Sequence, residues 1–200
     1  MKVFVMSDTH GLHRRMRTIP SADLVIHAGD FSTIGTEAEA LDFIEWFCDL
    51  PHRHKVFIAG NHDTAVLGHT ISGLPDNCHY LEYNSVTIEG IKVYGMPFFW
   101  DMGDPAEPSE LDRLDDEREI DLLVSHQPPY GVLDYDDHYG HYGSIRLLHK
   151  CLQLKPKYHV FGHIHQSYGQ RVEEGITFIN AALLGTHLEK LEKKPILSNL

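Results

Sequence analysis

The chain of 200 residues lacks any apolar run of about 18 residues, the length a membrane-crossing helix needs. Its first apolar run, Val3–Met6, is too short for a signal-peptide core. Both absences predict a cytoplasmic protein without a membrane partner. Cysteine is sparse: Cys48, Cys78 and Cys151 are far apart and form no CxxC pair, which excludes a zinc finger and fits reduced thiols. Positive charge is in deficit, with 17 Lys and Arg against 29 Asp and Glu, a formal net charge of −12. Such a surface repels polyanions, so no stable nucleic-acid complex is expected. Repeats, low-complexity stretches and Ser/Gly linkers are also missing, and the length fits one domain.

What is abundant is histidine, with 16 residues. Short Val-, Ile- and Phe-rich runs read as strands: Val3–Met6, Leu24–His27, Val56–Ala59, Val86–Ile88, Ile91–Tyr94, Leu122–Val124, Tyr158–Phe161 and Ile176–Ile179. Helical patterns lie between them at Thr36–Leu50, Ser109–Arg118 and Ser144–Leu154. This alternation predicts an α/β domain, and Glu89-Gly90 predicts a hairpin that makes it mixed. The domain is expected over residues 1–185. Residues 186–200 would be a C-terminal tail, or a closing edge strand through Pro195-Ile196-Leu197.

Five of the apolar runs end in the same kind of residue. They stop at Asp8-Thr9-His10, Gly29-Asp30, Gly60-Asn61-His62-Asp63, Ser125-His126 and Gly162-His163-Ile164-His165. Ligands of α/β sheets gather at the carboxyl ends of strands, so parallel strands would bring these clusters to one edge. Asp8, His10, Asp30, Asn61, His126, His163 and His165 are oxygen and imidazole donors, suited to Mn, Fe, Zn or Mg. Seven exceed the needs of one ion, and two ions sharing a carboxylate use the set well. Taken singly each piece has a plainer reading as turn chemistry; the ordered set of five does not. His13, His52, His54, His69, His79, His149 and His187, with His27 and His159 inside strands, are read as structural or surface residues.

The ordered set D-x-H, G-D, G-N-H-D, H and G-H-x-H resembles the calcineurin-like metallophosphoesterases. The stretch from Ser125-His126-Gln127-Pro128-Pro129 through Gly143-Ser144 to His165, then Tyr168-Gly169 and Ile179-Asn180-Ala181, is similar to a narrower subfamily. That subfamily includes brain-expressed metallophosphoesterase-domain proteins of animals and small microbial relatives. The resemblance implies a four-layer α/β/β/α sandwich of two mixed sheets flanked by helices. It implies a first metal on Asp8, His10, Asp30 and His165 and a second on Asp30, Asn61, His126 and His163. Manganese is favoured, with Fe, Zn or Mg as alternatives. His62 would face the substrate. Protein Ser/Thr phosphatases of this superfamily carry an arginine soon after the bridging Asp. Here that place reads Phe31-Ser32-Thr33-Ile34-Gly35, which counts against that activity.

The expected function is a metal-dependent phosphodiesterase. It would hydrolyse nucleotide-type diesters, cyclic nucleotides included, with a hydroxide held between two divalent ions. His62 would serve the leaving group as a proton donor. Asp63 would orient the His62 ring, or else be a turn residue. Gly143 and Ser144 would bind phosphate at a helix start, or Ser144 would simply cap it. The polar, aromatic segment Tyr130–Tyr142 would stack a base at the cleft rim, or be an ordinary loop. A phosphomonoesterase or nuclease of the same fold is the neighbouring reading. A non-catalytic metal-binding scaffold, as in the retromer subunit of this fold, is the reading from another class.

Overall fold

The central strands, only four or five residues long, bury both faces, so each sorts its side chains by alternation between an inner and an outer layer. The computed structural model describes residues 1–99, 109–185 and 190–199. In chain order the described strands are β1 (Lys2–Met6), β2 (Leu24–His27), β3 (His54–Phe57), β4 (Cys78–Tyr80), β5 (Asn84–Ile88), β6 (Ile91–Met96), β7 (Leu122–Ser125), β8 (Tyr135–Asp136), β9 (Gly140–His141), β10 (Tyr158–Phe161), β11 (Gly169–Glu173), β12 (Ile176–Asn180) and β13 (Ile196–Asn199). The helices are α1 (Glu37–Cys48) and α2 (Ile145–Leu154).

One of the two large sheets has the order β13-β1-β2-β3-β4 and the other β11-β12-β10-β7-β6-β5, while β8 and β9 form a separate antiparallel pair. In the first, β1 to β4 are parallel and β13 is antiparallel to β1. In the second, β12, β10, β7 and β6 are parallel, with β11 and β5 antiparallel at the two edges. The β5–β6 hairpin turns at Glu89-Gly90, as the sequence predicts. Both sheets are mixed and helices flank them.

The inner layer is aliphatic. Val3, Val5, Leu24, Ile26 and Val56 of one sheet meet Val93, Leu122, Val124, Val160 and Ile179 of the other. The outer face of the first sheet is aromatic: Phe4 and Phe57 pack under Phe43, Trp46 and Phe47 of α1. Phe43 also stacks on Phe31, with ring centroids 4.1 Å apart. The outer face of the second sheet, including Tyr94, Leu123, Phe161 and Phe178, is covered by Leu147 and Cys151 of α2 and by Leu111 and Leu114. Burying each such side chain stabilises the fold by roughly 1.5–3 kcal/mol.

Helix boundaries follow local chemistry. Thr36 accepts from Glu39 N while the Glu39 carboxylate accepts from Thr36 N, a reciprocal cap at the start of α1. The segment Ser109–Arg118, expected as an α-helix, forms a 3-10 helix over Glu110–Asp116. Its reciprocal cap is Ser109 with Asp112, and Leu111 and Leu114 turn inward; this i, i+3 spacing matches three residues per turn. Strand β3 starts at His54 and ends at Phe57, two residues before Ala59, because Ile58 and Ala59 already belong to the exit loop. No helix among the described residues is long and apolar enough to cross a membrane. Of the C-terminal segment, residues 186–189, His187 among them, lie outside the described residues.

Candidate metal centre

The loops that leave β1, β2, β3, β7 and β10 converge at the carboxyl ends of their strands, where backbone bonds stitch the sheets together. Ser7 N donates to Ala181 O at 2.9 Å, Leu183 N to Ser7 O at 3.0 Å, and Phe98 N to Ala59 O at 3.0 Å. The first-sheet loops bond one another: Asp8 N to Gly29 O at 3.0 Å and His10 N to Asp30 O at 3.0 Å. The turns are so sharp that Asp8, His10, Asp30 and His163 all take positive φ, at 52°, 39°, 55° and 69°. Non-glycine residues adopt this region at a cost of order 1–3 kcal/mol, and such strain concentrates at functional sites. Gly60 and Gly162 allow the closest approaches; a Cβ at either would overlap the carboxylates of Asp30 and Asp8 respectively.

All seven residues singled out as ligands come together. The ligating atoms form three groups, each within 4.8 Å: Asp8, His10 and His165; Asp30, His126 and His163; and His10, Asp30 and His62. Asp30 belongs to two of them. Asn61 joins through its Oδ1, 3.1 Å from His126 Nε2. His126 Nε2 is also 3.3 Å from Asp30 Oδ2, and His165 Nε2 is 3.2 Å from Asp8 Oδ1. His163 N donates to both Asp8 oxygens at 3.1 Å, so Asp8 holds the loop of the opposite sheet in place. Ala28 O takes the Nδ1 proton of His126 at 2.9 Å, which turns Nε2 toward the centre.

The electrostatics call for cations. The carboxylates of Asp8 and Asp30 are 0% and 2% exposed, with no Lys or Arg ion-paired to them among the described residues. Burial would raise the Asp8 carboxyl, but the hydrogen bond and charge of His165, with His126 and His10 nearby, hold it well below the usual range. Burial opposes protonation of His126, yet Asp30 and Asp8 push it up to about 9. Burial pulls His163 down to about 4. His10 Nε2 is buried without a hydrogen-bond partner. Hard oxygen and imidazole donors, an unpartnered ring nitrogen and two buried carboxylates fit a pair of divalent cations.

His62 stands closer to the ligands than the sequence implies. Its ring packs edge-on to His10 at 4.7 Å, its N–H donates to Asp30 Oδ1 at 2.8 Å, and its Nδ1 donates to Thr33 O at 2.7 Å. Thr33, through its carbonyl, is thus a site residue that side-chain chemistry gives no means to find. The expectation for Asp63 is corrected. Its carboxylate does not touch the His62 ring; it accepts N–H groups from Asp30 (2.7 Å), Phe31 (3.4 Å), Ser32 (2.8 Å) and Gly60 (2.8 Å). Residue 63 follows Gly60 at turn spacing, and its carboxylate ties its own loop, through Gly60, to the loop after β2, through Asp30, Phe31 and Ser32. Burial and the Asp30 charge push Asp63 up to about 7, against the pull of the Gly60 and Ser32 N–H groups. Lys193 was also missed: its Nζ donates to the carbonyls of His165 and Leu184.

Beside the centre lies a cavity of about 610 Å³, whose lining includes Asn61, His163, Gly143 and Ser144. The Ser144 hydroxyl accepts from Leu147 N at 2.9 Å, the capping role for α2. Gly143 is a close-approach position, where a Cβ would press on the backbone of Pro129 and Tyr130. His27 and His159 are buried, as read, and bond Thr9 and Ser125 beneath the ligand loops.

A family model described as calcineurin-like phosphoesterase matches residues 1–167. Human metallophosphoesterase domain-containing protein 1 is 30% identical over 211 residues, covering 89% of this chain and 64% of that protein. The chain therefore spans under two thirds of that relative's length. UPF0046 protein C25E10.12 of Caenorhabditis elegans is 37% identical over 210 residues, covering 89% of this chain and 73% of the relative. The crystal structure of TT1561 of Thermus thermophilus superposes with a TM-score of 0.61 at 15% identity, over 90% of this chain and 88% of that one. GAP50 of Plasmodium gives 0.57 at 11% identity, over 99% and 78%. These structural likenesses are of fold.

Proposed function

This chain belongs to the calcineurin-like phosphoesterase family, and from that premise we propose that it is a metal-dependent phosphodiesterase acting on small nucleotide-type diesters. The observation that carries the reading is the convergence of three donor groups, Asp8 with His10 and His165, and Asp30 both with His126 and His163 and with His10 and His62, beside a cavity that Asn61 and His163 line. Asp8, His10, Asp30 and His165 would hold one divalent cation and Asp30, Asn61, His126 and His163 the other, manganese being favoured. Bound there, two such ions supply Lewis acidity and a water acidified toward neutral pH.

The rest falls to the protein. His62 has its Nδ1 proton fixed on Thr33 O, which leaves Nε2 to face the departing oxygen; with the ring carrying a second proton there, Nε2 would pass it to that oxygen and the ring would return to the neutral Nδ1–H form. Asp63 fixes the loops that carry Asp30 and His62 through backbone bonds alone. Ala28 O and the His163 N–H keep His126 and Asp8 aimed inward. A diester carries one negative charge and a monoester up to two. Among the described residues the cavity lining contains neither Lys nor Arg, which favours the less charged substrate.

The test is hydrolysis of bis-p-nitrophenyl phosphate against p-nitrophenyl phosphate, on metal-stripped protein given back Mn²⁺, Mg²⁺ or Zn²⁺. Metal-dependent turnover that is faster on the diester supports the assignment. Preference for the monoester makes the protein a phosphatase. No turnover by protein that binds two ions removes the catalytic reading.

A further inference from the structure

Four of the ten large apolar or aromatic side chains that stand exposed among the described residues lie in one segment: Tyr130, Tyr135, Tyr139 and Tyr142. Aromatic surface gathered in water marks a binding site when the backbone beneath it is held. Here it is held. Asp134, 1% exposed, accepts the N–H groups of Gly131 and Gly143 at 2.9 and 3.0 Å and the His141 ring at 2.7 Å. The Ser167 hydroxyl accepts from Tyr135 N at 2.9 Å and donates to Tyr135 O at 2.8 Å. Gln166 accepts from Asp137 N at 2.9 Å and donates to Asp136 Oδ2 at 3.1 Å. Ser167 and Gln166 directly follow His165, so the segment is built onto a ligand loop.

The rings continue outward from the centre. Tyr142 lies 6.2 Å from His163 with its plane inclined by 28°, and Tyr139 lies 5.9 Å from Tyr142. Tyr130, Tyr139 and Tyr142 line the cavity of about 610 Å³ that has Asn61 and His163 in its wall. That volume is in the range of small-molecule sites. A phosphoryl group at Asn61 and His163 would place its organic arm against the tyrosines.

We propose that this cavity is a base subsite in which Tyr142, extended by Tyr139, stacks the planar heteroaromatic ring of a nucleoside arm. The proposal rests on the phosphodiesterase reading above. Every base offers a π face, so the subsite selects nucleoside arms over alkyl arms and does not choose among bases.

The test compares two esters with one leaving group, thymidine 5′-(p-nitrophenyl phosphate) and methyl p-nitrophenyl phosphate, on the metal-loaded full chain. The ratio of their kcat/KM values is expected to favour the nucleoside ester at least tenfold. Tyr142→Ala should reduce that ratio about tenfold, the loss of one base–aromatic stack, and Tyr142→Phe should keep it. Metal content measured on each variant shows whether packing on His163 has been disturbed. A ratio unchanged in Tyr142→Ala overturns the subsite and leaves the phosphodiesterase standing. If the wild type hydrolyses neither ester with any metal, the phosphodiesterase reading fails, and calorimetric binding of AMP decides the subsite. Tenfold weaker binding to Tyr142→Ala then keeps it, and equal affinity removes it.

Discussion

Asp63 is fully buried and accepts four backbone N–H groups from two loops, which makes it the anchor of the centre although it has no side-chain partner there. Asp63→Ala would strand those donors at a cost on the order of 3–5 kcal/mol. In a chain of 200 residues this lowers the melting temperature by roughly 10 °C. Differential scanning calorimetry of the metal-free protein reads this directly; a variant melting with the wild type would mean the loops hold themselves. His62→Ala makes the opposite expectation. Stability and metal content stay, and kcat falls about 10²–10⁴-fold, the usual worth of a positioned acid. Unchanged kcat would deprive His62 of its role. The convergence of the seven donor residues was legible because Asp, Asn and His recur in order at the ends of five apolar runs. The anchoring role of Asp63 and the carbonyl of Thr33 were not, because a backbone acceptor leaves no mark on residue type and a carboxylate beside a histidine reads equally well as its partner.

At the scale of elements, legibility followed burial. Strands with two buried faces announce themselves as apolar runs. The edge strands β4, Cys78-His79-Tyr80, and β11, Gly169-Gln170-Arg171-Val172-Glu173, show no such run, and pairing alone makes them strands. The strand β13 carries alternating half-exposed residues and lies along β1, from Lys2 with Asn199 to Val5 with Ile196. On the way to it, Glu192 N bonds Leu183 O at 3.0 Å and Lys193 reaches the His165 carbonyl. This segment is therefore a brace for a ligand loop. Lys193→Met should weaken metal binding severalfold in a competition titration with a chelator while far-UV circular dichroism stays the same. Identical metal affinity would reduce the brace to packing. The aromatic layer beneath α1 is more demanding: Phe43→Ala should cost about 3–5 kcal/mol, read as a shift in the urea midpoint.

For the molecule as a whole, acid is the expected weakness. His27 and His159 are buried, and burial pulls each down to about 3. Unfolded histidine titrates near 6.5, so between about pH 6.5 and 3 the unfolded chain binds protons that the folded chain refuses. Stability is thus unaffected by these two groups above pH 6.5 and declines as pH falls below it. Together they remove on the order of 4 kcal/mol by pH 5. Denaturant midpoints measured from pH 7 to 5 should drop accordingly, and His159→Gln should flatten the slope; parallel curves for variant and wild type would show that another group governs it. The sheets joined at their carboxyl ends also impose an order in time. Asp8 is met by His165 from 157 positions later. At 5–20 residues per second, a ribosome needs roughly 8–30 s to travel between them. As that interval proceeds the nascent chain comes to present Asp8, His10, Asp30, Asn61 and then His126, but it still lacks His163 and His165. The full donor set exists only once His163 and His165 have emerged, so a cation that needs all of it would be taken up late in synthesis or after it.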